Sequence, residues 1–177
     1  VIDPRSIAVI GASREPHKVG HAILKNLLRS GFEGRIYPVN PKADRILGLR
    51  CYSSVLDIRG RVDVAVVAVP AKVVPKVLEE CGRKGVKGVI LISGGFGEVG
   101  NTDLDAKVKG ICEKYRIILV GPNCLGVVNM NAHMDSIFLP TYKMKRPPLG
   151  DISFVSQSGA VGSTILDLIG EENVGVS

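Results

Sequence analysis

Short apolar runs decide most of what this chain can fold into. SIAVI (6–10), DVAVVAV (63–69), GVILIS (88–93) and IILVG (117–121) are apolar at successive positions rather than at alternate ones. A strand of that kind is buried on both faces, which is the condition of a parallel sheet covered by helices on either side. RIYPV (35–39) adds one more strand. Between these runs lie stretches with helical spacing. Residues 19–30 put Val19, Ala22, Ile23 and Leu27 on one side, 72–84 follow the third strand, and 102–115 follow the fourth, with Asn101 or Thr102 as N-cap. Strand and helix alternate, so the expected fold class is α/β with a doubly wound, mainly parallel sheet. The chain of 177 residues is long enough for one such domain and the opening of another. PTYKMKRPPLG, rich in proline and basic residues, reads as a boundary, and DISFVSQSGAVGSTILDLI then begins a new strand–turn–helix unit. The expected domains are residues 1–146 and the start of a second at 150–177.

Composition excludes several classes of function. The net charge is +6, but the basic residues are scattered without interleaved aromatics, and only KMKRPP is dense. That is not the footprint of a nucleic-acid binder. Cys51, Cys81, Cys112 and Cys124 form no CxxC pair, so no metal knuckle is expected, and reduced thiols fit a cytoplasmic protein. No apolar run is long enough to span a bilayer, so no membrane partner is expected.

In an open parallel sheet, ligands sit beyond the carboxyl ends of the strands. The first strand runs into VIGASREPHKVG (9–20), which lacks the dinucleotide pattern Gly-x-Gly-x-x-Gly. Gly11 permits a tight turn, Ser13 offers a hydroxyl and an N–H, and Arg14 and Lys18 supply charge in front of a helix N-terminus. An anion site and an ordinary turn with solvated charges are both open. After the second strand stands Asn40-Pro41-Lys42. An NAD site would want an acidic residue here, whereas a lysine suits an extra ribose phosphate, as in NADP or coenzyme A; a surface lysine in a proline turn is the other reading. Val69 and Pro70 are either an apolar wall for a base or simply a helix start. In SGGFGE, Gly94, Gly95 and Gly97 let the backbone approach a ligand closely. Asn123 and Cys124 sit at the mouth of the same crevice, the cysteine being equally readable as a buried filler. Ser156, Ser158 and the N–H groups of Gly159 and Ala160, in SQSGA, make another anion nest at a helix N-terminus. The string lacks the leading glycine of a serine nucleophile elbow, so a hydrolase is not expected.

Taken in order and spacing, SIAVIGAS, YPVNPK, AVVAVPA, ISGGFGE, GPNCLG and SQSGA resemble the CoA-binding half of ADP-forming (NDP-forming) acyl-CoA synthetases, relatives of the succinyl-CoA synthetase alpha subunit. The resemblance implies a Rossmann-like CoA-binding domain followed by the first strand–helix unit of a flavodoxin-like second domain. It implies that Gly11, Ser13 and Arg14 meet the CoA phosphates, and that Asn40, Pro41 and Lys42 lie near the adenosine and its 3′-phosphate. Val69 and Pro70 would wall the nucleotide, Ser93, Gly94 and Gly95 would line the pantetheine arm, and Asn123 and Cys124 would lie near its thiol. Ser156, Ser158 and Gly159 would hold the phosphate of a phosphohistidine. Succinyl-CoA synthetases carry a glutamate near the position of Gly94, and its replacement here points to the acetyl-CoA synthetase branch.

The implied reaction is acyl-CoA + ADP + phosphate ⇌ acid + ATP + CoA, through an acyl phosphate and a phosphohistidine outside this chain. None of His17, His21 and His133 stands at the matching place, so no catalytic residue is expected here and the chain alone should not turn over. ATP/ADP and Mg would be held by an ATP-grasp domain or subunit, fused or separate, in an oligomeric cytoplasmic ligase. Two other classes remain. One is a non-catalytic CoA- or acyl-CoA-sensing domain of a protein acetyltransferase, which the downstream histidine and an ATP-grasp partner would separate. The other is an NADP-binding oxidoreductase domain, for which the sequence offers no catalytic acid or lysine facing a nicotinamide.

Overall fold

The computed structural model describes residues 2–177. Its centre is a five-stranded sheet with strand order β2-β1-β5-β6-β7, every pair parallel. The elements run β1 (Ser6–Ile10), α1 (Val19–Arg29), β2 (Arg35–Val39), β3 (Arg45–Ile46), β4 (Leu49–Arg50), β5 (Val64–Val67), α2 (Val74–Lys84), β6 (Gly88–Leu91), α3 (Thr102–Tyr115) and β7 (Ile118–Val120). They continue with β8 (Val128–Asn129), β9 (Met134–Asp135), β10 (Leu149–Ile152) and α4 (Gly159–Glu171).

Continuous apolar strands do here what two-sided burial requires. Ile7 and Val9 point to one face and pack with Ile23, Leu24 and Leu27 of α1. Ala8 and Ile10 point to the other and pack with Val74, Val77, Leu78 and Cys81 of α2 and Val108, Ile111 and Cys112 of α3. Each fully buried Val, Leu or Ile contributes about 1.5–3 kcal/mol, so these two clusters hold the sheet between its layers. Among the described residues, α1 is the one helix packed on the first face. The chain after β7 completes that layer: Met134 and Ile137 are buried, and buried Asn26 of α1 donates to the carbonyls of Ile137 at 2.8 Å and Leu139 at 2.9 Å.

The strand order reverses between β1 and β5. The chain leaves β1 toward β2 and returns to the far side of β1 as β5, so the crevice at their carboxyl ends is a topological switch point. The expected third strand is shorter than 63–69, because Ala68–Pro70 leave the sheet and a 3-10 turn at Ala71–Val73 leads into α2. Arg146 turns back to Asp135 at 2.7 Å, and Lys145 pairs with Glu171 of α4 at 2.6 Å. Beyond them, β10 is bridged to Val176 and α4 follows. No helix among the described residues is long and apolar enough to cross a membrane.

Candidate functional site

The loops after β1, β2, β5, β6 and β7 meet at one end of the sheet. Gly11 continues the β1–β2 ladder through its N–H to the Val39 carbonyl at 3.0 Å and then turns with φ +92°. The loop returns at Gly20, the second residue of α1, where a Cβ would fall onto the Gly11 carbonyl. These two glycines let the helix start directly against the strand end. His21, buried behind them, donates from Nδ1 to the Ser13 carbonyl at 2.9 Å and holds the loop's shape. The residue before α1 is Lys18, which makes no side-chain cap, and the first turn contains no acidic residue. The N–H groups of Val19 and Gly20 that open α1 thus have no side-chain cap, and beside them stand the exposed Arg14 and Lys18, with Glu15 of the same loop paired to His17, a setting that favours an anion.

Asn40 ties the second loop to the first. Its Nδ2 donates to the Ala12 carbonyl at 2.7 Å, while its Oδ1 accepts from the Lys42 N–H at 2.8 Å. Arg14 reaches across to the Lys42 carbonyl at 3.4 Å. The structure thus brings Gly11, Ser13, Arg14, Asn40, Pro41 and Lys42 into one edge, with Asn40 acting as a strut. The Lys42 side chain is exposed and joins no salt bridge among the described residues.

Ser93 is similarly occupied by the fold. Its hydroxyl accepts from the Val69 N–H at 3.2 Å and donates to the Val69 carbonyl at 2.6 Å, locking the ends of β5 and β6 together. Val69 is half-buried and Pro70 is exposed at the start of the 3-10 turn. Gly94 is bare and exposed. A Cβ on it would lie 3.1 Å from Asn123 Oδ1 and 3.1 Å from Glu98 Oε1, so the loop after β6 meets the loop after β7 there.

Glu98 is the feature that reading the sequence missed. Its carboxylate accepts from the N–H groups of Gly95 at 2.5 Å and Phe96 at 3.1 Å. The Gly95 bond is the main force holding its carboxyl below the usual range. A glutamate three residues beyond a glycine in a Gly-Gly loop was the available signal.

Cys124 proves to be a packed thiol. It donates to the Leu91 carbonyl at 3.3 Å, and burial pushes its pKa up to about 11. Burial likewise raises Cys51, Cys112 and, to about 12, Cys81. Iodoacetamide at neutral pH should therefore leave all four cysteines unmodified in the folded protein and label them only after denaturation. Intact-mass spectrometry checks this, and rapid native labelling at Cys124 would show that its thiol is open.

Ser158 caps α4 by accepting from the Val161 N–H at 3.3 Å, and Ser156 accepts from the Ser158 N–H at 3.1 Å. Leu125, just after Cys124, approaches Gly159 and Gly162, so the N-terminus of α4 lies beside the loop that follows β7. No group of three His, Cys, Asp or Glu side chains able to hold a metal occurs among the described residues.

Comparison with known proteins adds a family. Residues 5–130 match the model of the CoA binding domain. An ADP-forming acetate–CoA ligase of Methanocaldococcus jannaschii is 51% identical over 174 residues, which is 98% of this chain and 24% of that protein. The alpha subunit of ADP-forming acetate–CoA ligase I of Pyrococcus furiosus is 44% identical over 183 residues, 100% of this chain and 39% of that subunit. The solved dinucleotide-forming acetyl-coenzyme A synthetase 1 of Ca. Korarchaeum cryptofilum, in complex with phosphate and ADP, superposes with a TM-score of 0.94 at 41% identity, covering 99% of this chain and 37% of that one. The chain thus spans about a quarter to two fifths of the length of these relatives.

Proposed function

The chain belongs to the CoA-binding domain family, and from that premise we propose that it is the coenzyme A-holding part of an ADP-forming acyl-CoA synthetase of the acetyl-CoA type. One observation carries the reading: a helix N-terminus with no side-chain cap and no acidic residue in its first turn, backed by Gly11 and Gly20, lies at the same edge as Arg14 and Lys42, which joins no salt bridge among the described residues. The open helix end and Arg14 suit a pyrophosphate, and Lys42 suits a separate phosphate on the ribose. The residues present therefore fit CoA, with its pyrophosphate, its 3′-phosphate and an arm that needs a bare backbone channel such as Gly94.

The chemistry CoA supplies is its thiol, which would take the acyl group from an acyl phosphate. The chain's own part is to bind and orient. His21 and Asn40 keep two phosphate-facing loops in register, and Ser93 fixes the ends of β5 and β6 so that Gly94 stays open. The α4 N-terminus, with Ser156, Ser158 and Gly159, is a second anion seat beside the loop after β7, suited to phosphate arriving from a phosphohistidine. ATP/ADP and Mg would be handled by an ATP-grasp domain or subunit, and the oligomer would be built with it.

Calorimetric titration with CoA, 3′-dephospho-CoA and NADPH tests the reading. CoA should bind, the dephospho form should bind more weakly, and NADPH should not bind. Lys42→Ala should weaken CoA by roughly tenfold, the scale of one charged hydrogen bond, and leave 3′-dephospho-CoA nearly unchanged. Equal losses for both ligands would remove Lys42 from the 3′-phosphate site, and binding of NADPH in place of CoA would overturn the assignment.

A further inference from the structure

We propose that Glu98 is a positioning residue that fixes the backbone after β6 for the pantetheine arm of CoA, an inference that rests on the CoA reading above. The segment Ser93–Phe96 has fixed ends. Ser93 is bound through its hydroxyl to both backbone groups of Val69, and Phe96 is fully buried in the core. Between them Gly95 takes φ +105°, a conformation that nothing in a regular strand would maintain. Its N–H is held by the Glu98 carboxylate and its carbonyl by Asn101 Nδ2 at 3.3 Å. The second carboxylate oxygen accepts from Phe96.

Glu98 thus gathers two consecutive amides of this loop. A Cβ at the exposed Gly94 would stand 3.1 Å from both Glu98 Oε1 and Asn123 Oδ1, so these two oxygens border the bare backbone there. The carboxylate is required as such. Both of its oxygens accept, so a glutamine would set an N–H₂ against one of the two backbone donors. Asn101 or Thr102 was expected as the N-cap of α3. Asn101 occupies that position without a side-chain cap bond, and its Nδ2 donates instead to the Gly95 carbonyl.

The test compares two ligands in the intact protein: CoA, and adenosine 3′,5′-bisphosphate, which carries the base and the 3′-phosphate but no pantetheine. Glu98→Ala and Glu98→Gln should each weaken CoA on the order of tenfold through misplacement of the channel. Adenosine bisphosphate should bind as before, and the thermal unfolding midpoint should hold. Asn101→Ala, which releases the same loop from its other side, should give the same selective loss. Equal losses for both ligands, an unchanged CoA affinity, or full rescue by glutamine would overturn the proposal, the last by showing that only the filled space matters. A wild-type protein that binds adenosine bisphosphate yet shows no selective loss in the variants refutes the role of Glu98 alone. A wild-type protein that binds neither ligand refutes the CoA reading itself.

Discussion

Gly20→Ala should destabilise the protein by roughly 1–3 kcal/mol, the ordinary cost of forcing an atom into filled space, and should abolish measurable CoA binding. Helix propensity argues for the opposite sign, since alanine is about 0.8–1.0 kcal/mol better than glycine inside a helix. The contact decides. A Cβ at Gly20 meets the Gly11 carbonyl and stands 3.0 Å from the Ala12 Cα, and both are backbone that no rotamer change can clear. Relief requires α1 to move off the end of β1. The helix is not free to do so, because Ile23, Leu24 and Leu27 are completely buried against the sheet. The strain must then appear in residues 11–18, the loop proposed to hold the CoA phosphates. Gly110 is the control: it lies in α3 with open space where its Cβ would stand, and its alanine variant should gain about 0.5–1 kcal/mol. Urea denaturation and calorimetric titration of both variants check this. A Gly20→Ala protein as stable as wild type, with CoA affinity intact, would refute the close approach.

That contact also marks where reading the sequence stops. The five sheet strands and α1 to α3 were legible because strands buried on both faces are apolar throughout and the helices between them keep one apolar side. The loops were legible as loops. What the sequence did not show is how the glycines divide their work. The three glycines of a dinucleotide loop are missing, yet Gly11 makes the turn and Gly20, beyond the polar loop, permits the helix–strand approach. Spacing motifs cannot reveal a contact closed across a loop. Glu98 escaped for a related reason: its partners are backbone amides, which have no letter in a sequence.

The small hairpins were hidden by their size. β3–β4 and β8–β9 have two-residue strands, too short to display a period. The first turns at Leu47 and Gly48, both with positive φ. Asparagine or glycine at the first position would have announced that turn, and a leucine conceals it. Among the candidate site residues, Asn40 and Ser93 were placed near the ligand by the family resemblance, but the fold uses their side chains to join neighbouring loops. A matched motif carries a position and not its partners, and only the fold shows that their hydrogen bonds are already made.

Arg146→Leu should cost about 3–5 kcal/mol near neutral pH, the usual result of orphaning one member of a buried pair, and distinctly less in mild acid. Arg146 lies in the basic, proline-rich stretch that reads as a boundary, yet it is only 13% exposed and Asp135 only 7%. Its guanidinium meets Asp135 Oδ2 at 2.7 Å and donates to the carbonyls of Met144 and Leu139, each at 2.8 Å. Burial raises the Asp135 carboxyl above its ordinary value, with Arg146 pulling the other way. Removing the arginine removes that pull, so the folded variant binds the Asp135 proton more tightly than the unfolded chain does. Stability gained from that proton is fully present below the unfolded carboxylate range and is lost as pH rises through the raised folded value. The deficit should therefore grow from mildly acidic to neutral pH, read as urea midpoints of wild type and variant at each pH. Asp135→Leu combined with Arg146→Leu should recover most of the loss, because no charge is then left unpaired. A deficit under about 1 kcal/mol, the range of solvated pairs, or one that ignores pH, would mean that this segment is loosely held. The stake is functional as well, since Asn26 anchors α1 to the carbonyls of Ile137 and Leu139 in the segment that Arg146 fastens. Releasing it loosens the helix whose N-terminus faces the proposed CoA phosphates, so CoA affinity should fall along with stability.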